Sequence, residues 1–219
     1  MKTAIIFGSS GLIGNELFKT ILLNNIYSKI IIFVRSTPEV NNPKVEIIKT
    51  DFNNLHQYKN NIKGNDCYFC IGTTKKDSPE KSEYRRIEHD IPIEVARIAK
   101  ANSINTFIYV SSIGANANAA SNYLKNKGQV EEELINLNFP KLIIIRPSLL
   151  VGSRRSFRLG EVIFTPVMNI LTFFAFGNLK KYKPIKIENV VKAMLYILKN
   201  NLDETIFESD ELEKIANSN

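Results

Sequence analysis

The 219-residue chain is 44% hydrophobic and 23% charged, with 29 basic against 22 acidic side chains and a formal net charge of +7. It is long enough to bury a substantial core, and its even composition excludes low-complexity and repeat architectures. The lysines and arginines are dispersed along the chain rather than gathered into a stripe, so nucleic acid is not expected as a partner.

At the N-terminus, MKTAIIFGSSGLIG joins a lysine to an apolar run, but glycines interrupt the run too early for a signal peptide. TAIIF (3–7) reads as a buried strand and LIGNELFKTILLN as an amphipathic helix. Between them Gly8, Gly11 and Gly14 are spaced G-x-x-G-x-x-G. A tight strand-to-helix turn needs such residues, and so does a pyrophosphate that must approach bare backbone at a helix N-terminus. Gly8, Ser9, Ser10, Gly11, Leu12, Ile13 and Gly14 are therefore the expected phosphate cradle.

KIIIFV (29–34) is the second expected strand and ends at Arg35 and Ser36. A carboxylate at that place suits the ribose of NAD, whereas a guanidinium attracts the additional phosphate of NADP, so NADP(H) is expected over NAD(H). A solvated arginine at a strand end is the plainer alternative. VEIIK (45–49) is the third strand, followed by Asp51 and Phe52. CYFCI (67–71) is the fourth, followed by Gly72 and Thr73. Ile71, Gly72, Thr73, Asp51 and Phe52 all lie at carboxyl ends of strands, where a ligand crevice opens, or are simple loop residues.

Cys67 and Cys70 spell C-x-x-C, but residues three apart on a strand point to opposite faces. Buried reduced thiols in a cytoplasmic protein are expected rather than a redox or zinc pair, and no metal site is expected. IPIEVARIAKAN has helical periodicity, with His89 and Asp90 at its start as capping or core polar residues rather than catalytic ones.

FIYVS (107–111) is the fifth strand and ends in Ser111 and Ser112. Tyr123 and Lys127 follow, four apart and on one face of the next expected helix. An ammonium near a phenol stabilises phenolate and favours proton exchange with a carbonyl or alcohol, and a serine hydroxyl polarises the same substrate oxygen. Taken alone the spacing also fits an exposed helix. LIIIR (142–146) is the sixth strand. The alternation then breaks over 151–183 and resumes in NVVKAMLYILKN (189–200), TIFES (204–208) and a helix from about Ser209.

Alternating apolar strands and amphipathic helices predict an α/β fold, a doubly wound parallel sheet with a small C-terminal substrate lobe, all within a single unit, 1–219. The lobe at 151–183 is basic at both ends and apolar between, with Phe164, Phe173, Phe174 and Phe176. It reads as a cover forming an apolar pocket, or as an interfacial membrane contact. VIFTPVMNILTFFAF is too short to span a bilayer.

FGSSGLIG, VRS, CIGTTKKDS, HDIPIEVARIAK, FIYVSSIGAN, YLKNKGQVEEEL and RPSLLVGSRRSFRLGE, in that order over residues 3–161, resemble the short-chain dehydrogenase/reductase superfamily. The similarity is to its atypical, NAD(P)H-binding, NmrA-like branch. The resemblance implies a Rossmann fold, NADP(H), Tyr123 as proton donor or acceptor, and Lys127 as the residue that orients the nicotinamide ribose. Ser112 would orient the substrate, with Ser111 the alternative. Pro147, Ser148, Leu149 and Leu150 would line the nicotinamide, and Arg146 would be either a cofactor neighbour or structural. Two functions remain: a monomeric or homodimeric NADP(H)-dependent oxidoreductase acting on a small carbonyl or alcohol, or a non-catalytic NADP(H)-binding regulator.

Overall fold

The computed structural model describes residues 2–74, 76–152 and 181–218. Six apolar runs form strands β1 (Thr3–Phe7), β2 (Lys29–Val34), β3 (Val45–Lys49), β4 (Asp66–Phe69), β5 (Thr106–Val110) and β6 (Lys141–Arg146). Two short strands follow, β7 (Leu150–Val151) and β8 (Ile185–Lys186), and then β9 (Ile206–Glu208). The main sheet runs β3-β2-β1-β4-β5-β6-β9 with every pairing parallel, while β7 and β8 pair separately. The strand order reverses between β1 and β4, so the loops leaving their carboxyl ends part there and open a crevice.

Parallel strands need crossovers, and these place apolar helical faces on both sides of the sheet. One side carries α1 (Leu12–Leu23), α5 (Ile187–Asn200) and α6 (Ser209–Asn217), whose Leu17, Ile21, Val190, Met194 and Leu212 pack with Ile6, Ile32 and Ile145. The other carries α3 (Ile91–Ala101) and α4 (Asn122–Asn136), whose Val95, Ile98, Val130 and Leu134 pack with Phe7, Phe69 and Tyr109. Phe7 stacks on Phe33 with centroids 4.4 Å apart, linking β1 to β2 through side chains as well as backbone.

The expected helix at IPIEVARIAKAN begins earlier than its periodicity suggests. α2 (Lys81–Arg85) runs through one π turn at Arg86–Asp90 directly into α3. Asp90 makes no capping bond, and His89 is buried with Nδ1 2.8 Å from Asp90 and Nε2 3.1 Å from Glu133 of α4. His89 is thus a core polar residue rather than a cap. Most of the expected lobe, including Phe164, Phe173, Phe174 and Phe176, lies outside the described residues; β7 and β8 pair at its base. No helix among the described residues is long and apolar enough to cross a membrane, and no cluster of His, Cys, Asp and Glu there could hold a metal.

β4 is shorter than the CYFCI run because Cys70 leaves the strand where Gly8 turns away at φ 90°. Cys67 packs with the α3 and α4 side and Cys70 with the α1 side, so the two thiols face apart. Burial raises the Cys67 thiol well above its ordinary range and pushes Cys70 up to about 12. A disulfide reagent at pH 8 is expected to label neither thiol in the native protein on the timescale that labels both in the unfolded chain. Rapid labelling of the native protein would contradict this packing.

Candidate cofactor and proton-transfer site

The glycine turn is built by contact. A Cβ on Gly14 would lie 2.1 Å from the Gly8 carbonyl oxygen, and one on Gly8 would lie 2.7 Å from the Cys70 carbonyl carbon. The end of β1, the start of α1 and the end of β4 therefore meet backbone to backbone. The Gly11 amide donates to the Gly8 carbonyl at 3.0 Å, closing the turn. No side chain caps α1 and its first turn carries no acidic residue, so the N–H groups of that turn and its dipole are left for an anion. These features fit a dinucleotide pyrophosphate.

Around the cradle, Arg35 and Ser36 are exposed at the end of β2. Asp51 is exposed and accepts hydrogen bonds from the Asn53 backbone and side-chain amides at 2.9 Å, which lowers its pKa. Phe52 is buried at φ 63°, and its carbonyl accepts from Arg86 Nη1 at 3.0 Å. Arg86 also grips Glu83 through two bonds of 2.7 and 2.8 Å. Arginines and carboxylates thus alternate at this corner of the crevice. After β4, Ile71 and Thr73 are half-buried and Gly72 is exposed.

The proton-transfer candidates come together on α4. Its buried stripe includes Lys127, Gly128, Val130, Glu131 and Leu134, so two charged residues sit on the face that packs inward. The Lys127 ammonium lies 5.9 Å from the Tyr123 ring centroid and 4.9 Å from that of Tyr109. It donates to the Val110 carbonyl at 3.2 Å and lies 3.1 Å from the Glu88 carboxylate, both side chains being almost wholly buried. Desolvation opposes the Lys127 charge most strongly, but Glu88, Tyr109 and Tyr123 together outweigh it and hold the lysine well above its usual range.

Gly128 explains how α4 reaches the strand end. A Cβ there would lie 2.2 Å from the backbone of Asn116 and Ala117, so only glycine lets the loop after β5 lie against the helix. The Asn116 amide donates to the Leu124 carbonyl at 3.1 Å, fastening that loop beside Tyr123.

The two serines at the end of β5 separate. Ser111 is buried and its hydroxyl donates to Glu131, which pairs in turn with Arg146 at the end of β6. Arg146 continues to Glu208 of β9 at 3.1 Å, and Glu208 to Lys181 at 3.2 Å. Ser112 is half-buried, and among the described residues its hydroxyl has only a 3.4 Å contact to the carbonyl of its neighbour Ile113. In the segment after β6, the Ser148 hydroxyl is turned inward, donating to the Lys183 carbonyl and accepting from Ser209 at 2.9 Å. Only its backbone remains for a cofactor. Pro147 accepts the Ile113 amide at 3.0 Å, and Leu149 accepts the Ile185 amide at 2.9 Å.

Glu88, Glu131, Gly128 and Tyr109 were not among the residues expected to shape the site. Glu131 is one of three consecutive glutamates, and nothing local marks it. Glu88 carries a weak signal, a carboxylate between Ile87 and Ile91 in an apolar helical stripe.

Residues 8–160 match the family model described as NAD(P)H-binding. The chain belongs to the NAD(P)H-binding family. It is 31% identical to "Protein FMP52, mitochondrial" of Debaryomyces hansenii over 92% of this chain and 90% of that protein. It is 33% identical to rat "Protein HTATIP2" over 73% and 67% of the respective chains. Among solved structures, a short-chain dehydrogenase from Burkholderia cenocepacia in complex with NADP superposes with a TM-score of 0.68 at 16% identity, covering 99% of this chain and 92% of that one. ADP-L-glycero-D-manno-heptose-6-epimerase of Helicobacter pylori superposes with a TM-score of 0.69, also at 16% identity, covering 99% and 81%. The Rossmann-like fold of the NAD(P)H-binding family is thus the fold of this chain. The cytoplasmic location expected from its cysteines and N-terminus does not stand, because relatives across several yeasts are named as mitochondrial proteins.

The Ser111–Glu131–Arg146 network gives a stability test. Glu131→Ala leaves the buried Ser111 hydroxyl without its acceptor and a largely buried guanidinium with Glu208 alone, and is expected to cost about 3 kcal/mol. Urea denaturation measures it. A loss within error of zero would show that the network is solvated.

Proposed function

We propose that the protein is an NADP(H)-dependent oxidoreductase of short-chain dehydrogenase type, which moves hydride between the nicotinamide and a carbonyl or alcohol carbon. The observation that carries this reading is the Lys127 ammonium 5.9 Å from the Tyr123 ring, on a helix held against the carboxyl end of β5 in a sheet that also carries the glycine cradle. The bound nicotinamide supplies or accepts the hydride. Tyr123 exchanges the proton with the substrate oxygen, and the Lys127 charge offsets the negative charge that develops on the phenol oxygen as the proton leaves. Ser112 holds the substrate oxygen, since the Ser111 hydroxyl is engaged with Glu131.

Gly8 to Gly14 bind the pyrophosphate, and Ile71 to Thr73 with the backbone of Pro147 to Leu150 flank the nicotinamide half. The chain acts as a single NAD(P)-binding unit, 1–219. The names of the yeast relatives support action in mitochondria. Preference for NADP(H) rests on exposed Arg35, near enough to Glu83 to lower that carboxyl's pKa together with Arg86. A cofactor-binding regulator is the second reading, favoured by the Lys127 ammonium already being paired with Glu88 in the protein alone.

A carbonyl-substrate screen following NADPH absorbance tests the first reading. Turnover is expected, and Tyr123→Phe should reduce kcat roughly 100-fold or more while leaving NADPH binding intact. Tight NADPH binding without turnover of any substrate, or a fully active Phe variant, would favour the regulator.

Arg35→Asp tests cofactor choice separately. It is expected to weaken NADP(H) binding about tenfold or more, the worth of one charge-assisted contact, and to leave NAD(H) binding unchanged or improved. Titration of both cofactors by fluorescence reads the result, and an unchanged preference removes Arg35 from the recognition of the 2′-phosphate.

A further inference from the structure

We propose that Glu88 is a positioning residue of the proton-transfer site, whose buried carboxylate fixes Lys127 and ties it to the loop after β4. The inference rests on the reading of Tyr123 and Lys127 as a proton-transfer pair, and it adds a third ionisable residue to that pair.

The geometry has three parts. First, Glu88 lies inside the π turn Arg86–Asp90. One residue of insertion rotates a side chain by about 100° around a helix axis, and single π turns recur where a helix must aim a group into a site. The flanking α-helical turns run on without a break, so the turn redirects Glu88 without ending the helix.

Second, the two carboxylate oxygens have different duties. Oε1 accepts the Thr73 backbone amide at 2.5 Å, and a Cβ on Gly72 would lie 3.4 Å from the same oxygen. Thr73 is itself bonded through its hydroxyl to Ser78 at 2.9 Å. The loop that flanks the crevice after β4 is therefore fastened to Glu88. Oε2 lies 3.1 Å from Lys127 Nζ, yet no donor among the described residues makes an aligned hydrogen bond to it, so the contact is an ion pair.

Third, among the described residues no other carboxylate supplies a counter-charge to Lys127. The titratable groups facing Lys127 are Glu88 from the π turn, Tyr84 from α2, Cys70 from the end of β4, Tyr109 from β5 and Tyr123 from α4 itself. Glu88 is the one carboxylate among these. Burial raises Tyr84 and Tyr109 above the usual phenol range and Cys70 to about 12, so all three stay neutral at neutral pH. Tyr109 lies beside the ammonium and helps to hold its proton, but as a neutral phenol it supplies no full counter-charge.

A buried ion pair adds little to stability over an apolar pair of the same shape, because desolvation consumes the Coulombic gain. What Glu88 does provide is an ammonium that stays charged and stays in place. Glu88→Gln separates this from packing, because the amide oxygen can still accept from Thr73 while the charge is gone.

The test uses the full chain carrying 13Cε-labelled lysine, with the Lys127 signal assigned from Lys127→Met. In the wild type the signal is expected to stay that of an ammonium up to at least about pH 10, near the ordinary lysine midpoint. In Glu88→Gln the midpoint is expected to fall by one pH unit or more as an uncompensated buried cation sheds its proton, and Glu88→Asp should recover part of the shift. In an active enzyme the Gln variant should lose kcat about tenfold with a displaced pH profile, and KM should move less than kcat. If Glu88→Gln does not fold, Glu88→Asp alone serves, since its shorter carboxylate is withdrawn from Nζ and the Lys127 midpoint must fall. A folded variant whose Lys127 titrates as in the wild type overturns the proposal. A failed substrate screen bears on the oxidoreductase reading and not on this titration, so the two can fail separately.

Discussion

Where β1, α1 and β4 converge there is no space for a side chain: the Gly8 carbonyl occupies the volume that a Cβ of Gly14 would need, and Cys70 closes off Gly8. That close approach is what brings the first turn of α1 up to the carboxyl edge of the sheet. The edge is also where the strand order reverses, so the crevice and the uncapped helix end coincide. The two apolar layers then hold this arrangement from both faces, with the aromatic stack of Phe7 and Phe33 directly beneath the turn. The proposed pyrophosphate site follows from three backbones meeting in this way.

The proposed nicotinamide end depends on buried charge rather than on bare backbone. Two networks leave α4 from neighbouring turns of one helical face. Lys127 reaches Glu88 and through it the loop after β4, while Glu131 reaches Ser111, Arg146 and, through Arg146, Glu208 of the last strand. Both are shielded from water, so each is sensitive to removal of one partner and little affected by salt. Together they bind α4 to β5, β6, β9 and the π turn, and so set the positions of Tyr123 and Ser112 relative to the cradle. Gly128 permits this, because any larger residue would push the helix away from the loop that carries Ser112.

Most of the sheet was legible in the sequence. TAIIF, KIIIFV and VEIIK became β1, β2 and β3 with the bounds expected: the first two are the continuous apolar runs that covered strands require, and the third is the half-buried edge strand. The opposed faces of Cys67 and Cys70 followed from the two-residue repeat of a strand. The helix of His89 was misjudged at its start, since a π turn carries no signature of composition that separates it from a cap. The cytoplasmic placement failed for a different reason: compartment is an address read by other proteins, and the fold does not encode it.

By itself the sequence determined the layer architecture and the spacings on which the proposed glycine cradle and Tyr123–Lys127 pair rest, because these depend on local periodicity and on short fixed spacings. Only the tertiary structure separated Ser111 from Ser112, since consecutive residues at a strand end face opposite ways and what each meets is a matter of packing. Only the tertiary structure, too, joined Glu88 to Lys127 across 39 positions of chain. A buried carboxylate is recognisable by what surrounds it, and its surroundings come from α2, β4, β5 and α4, which the chain brings together only when it folds.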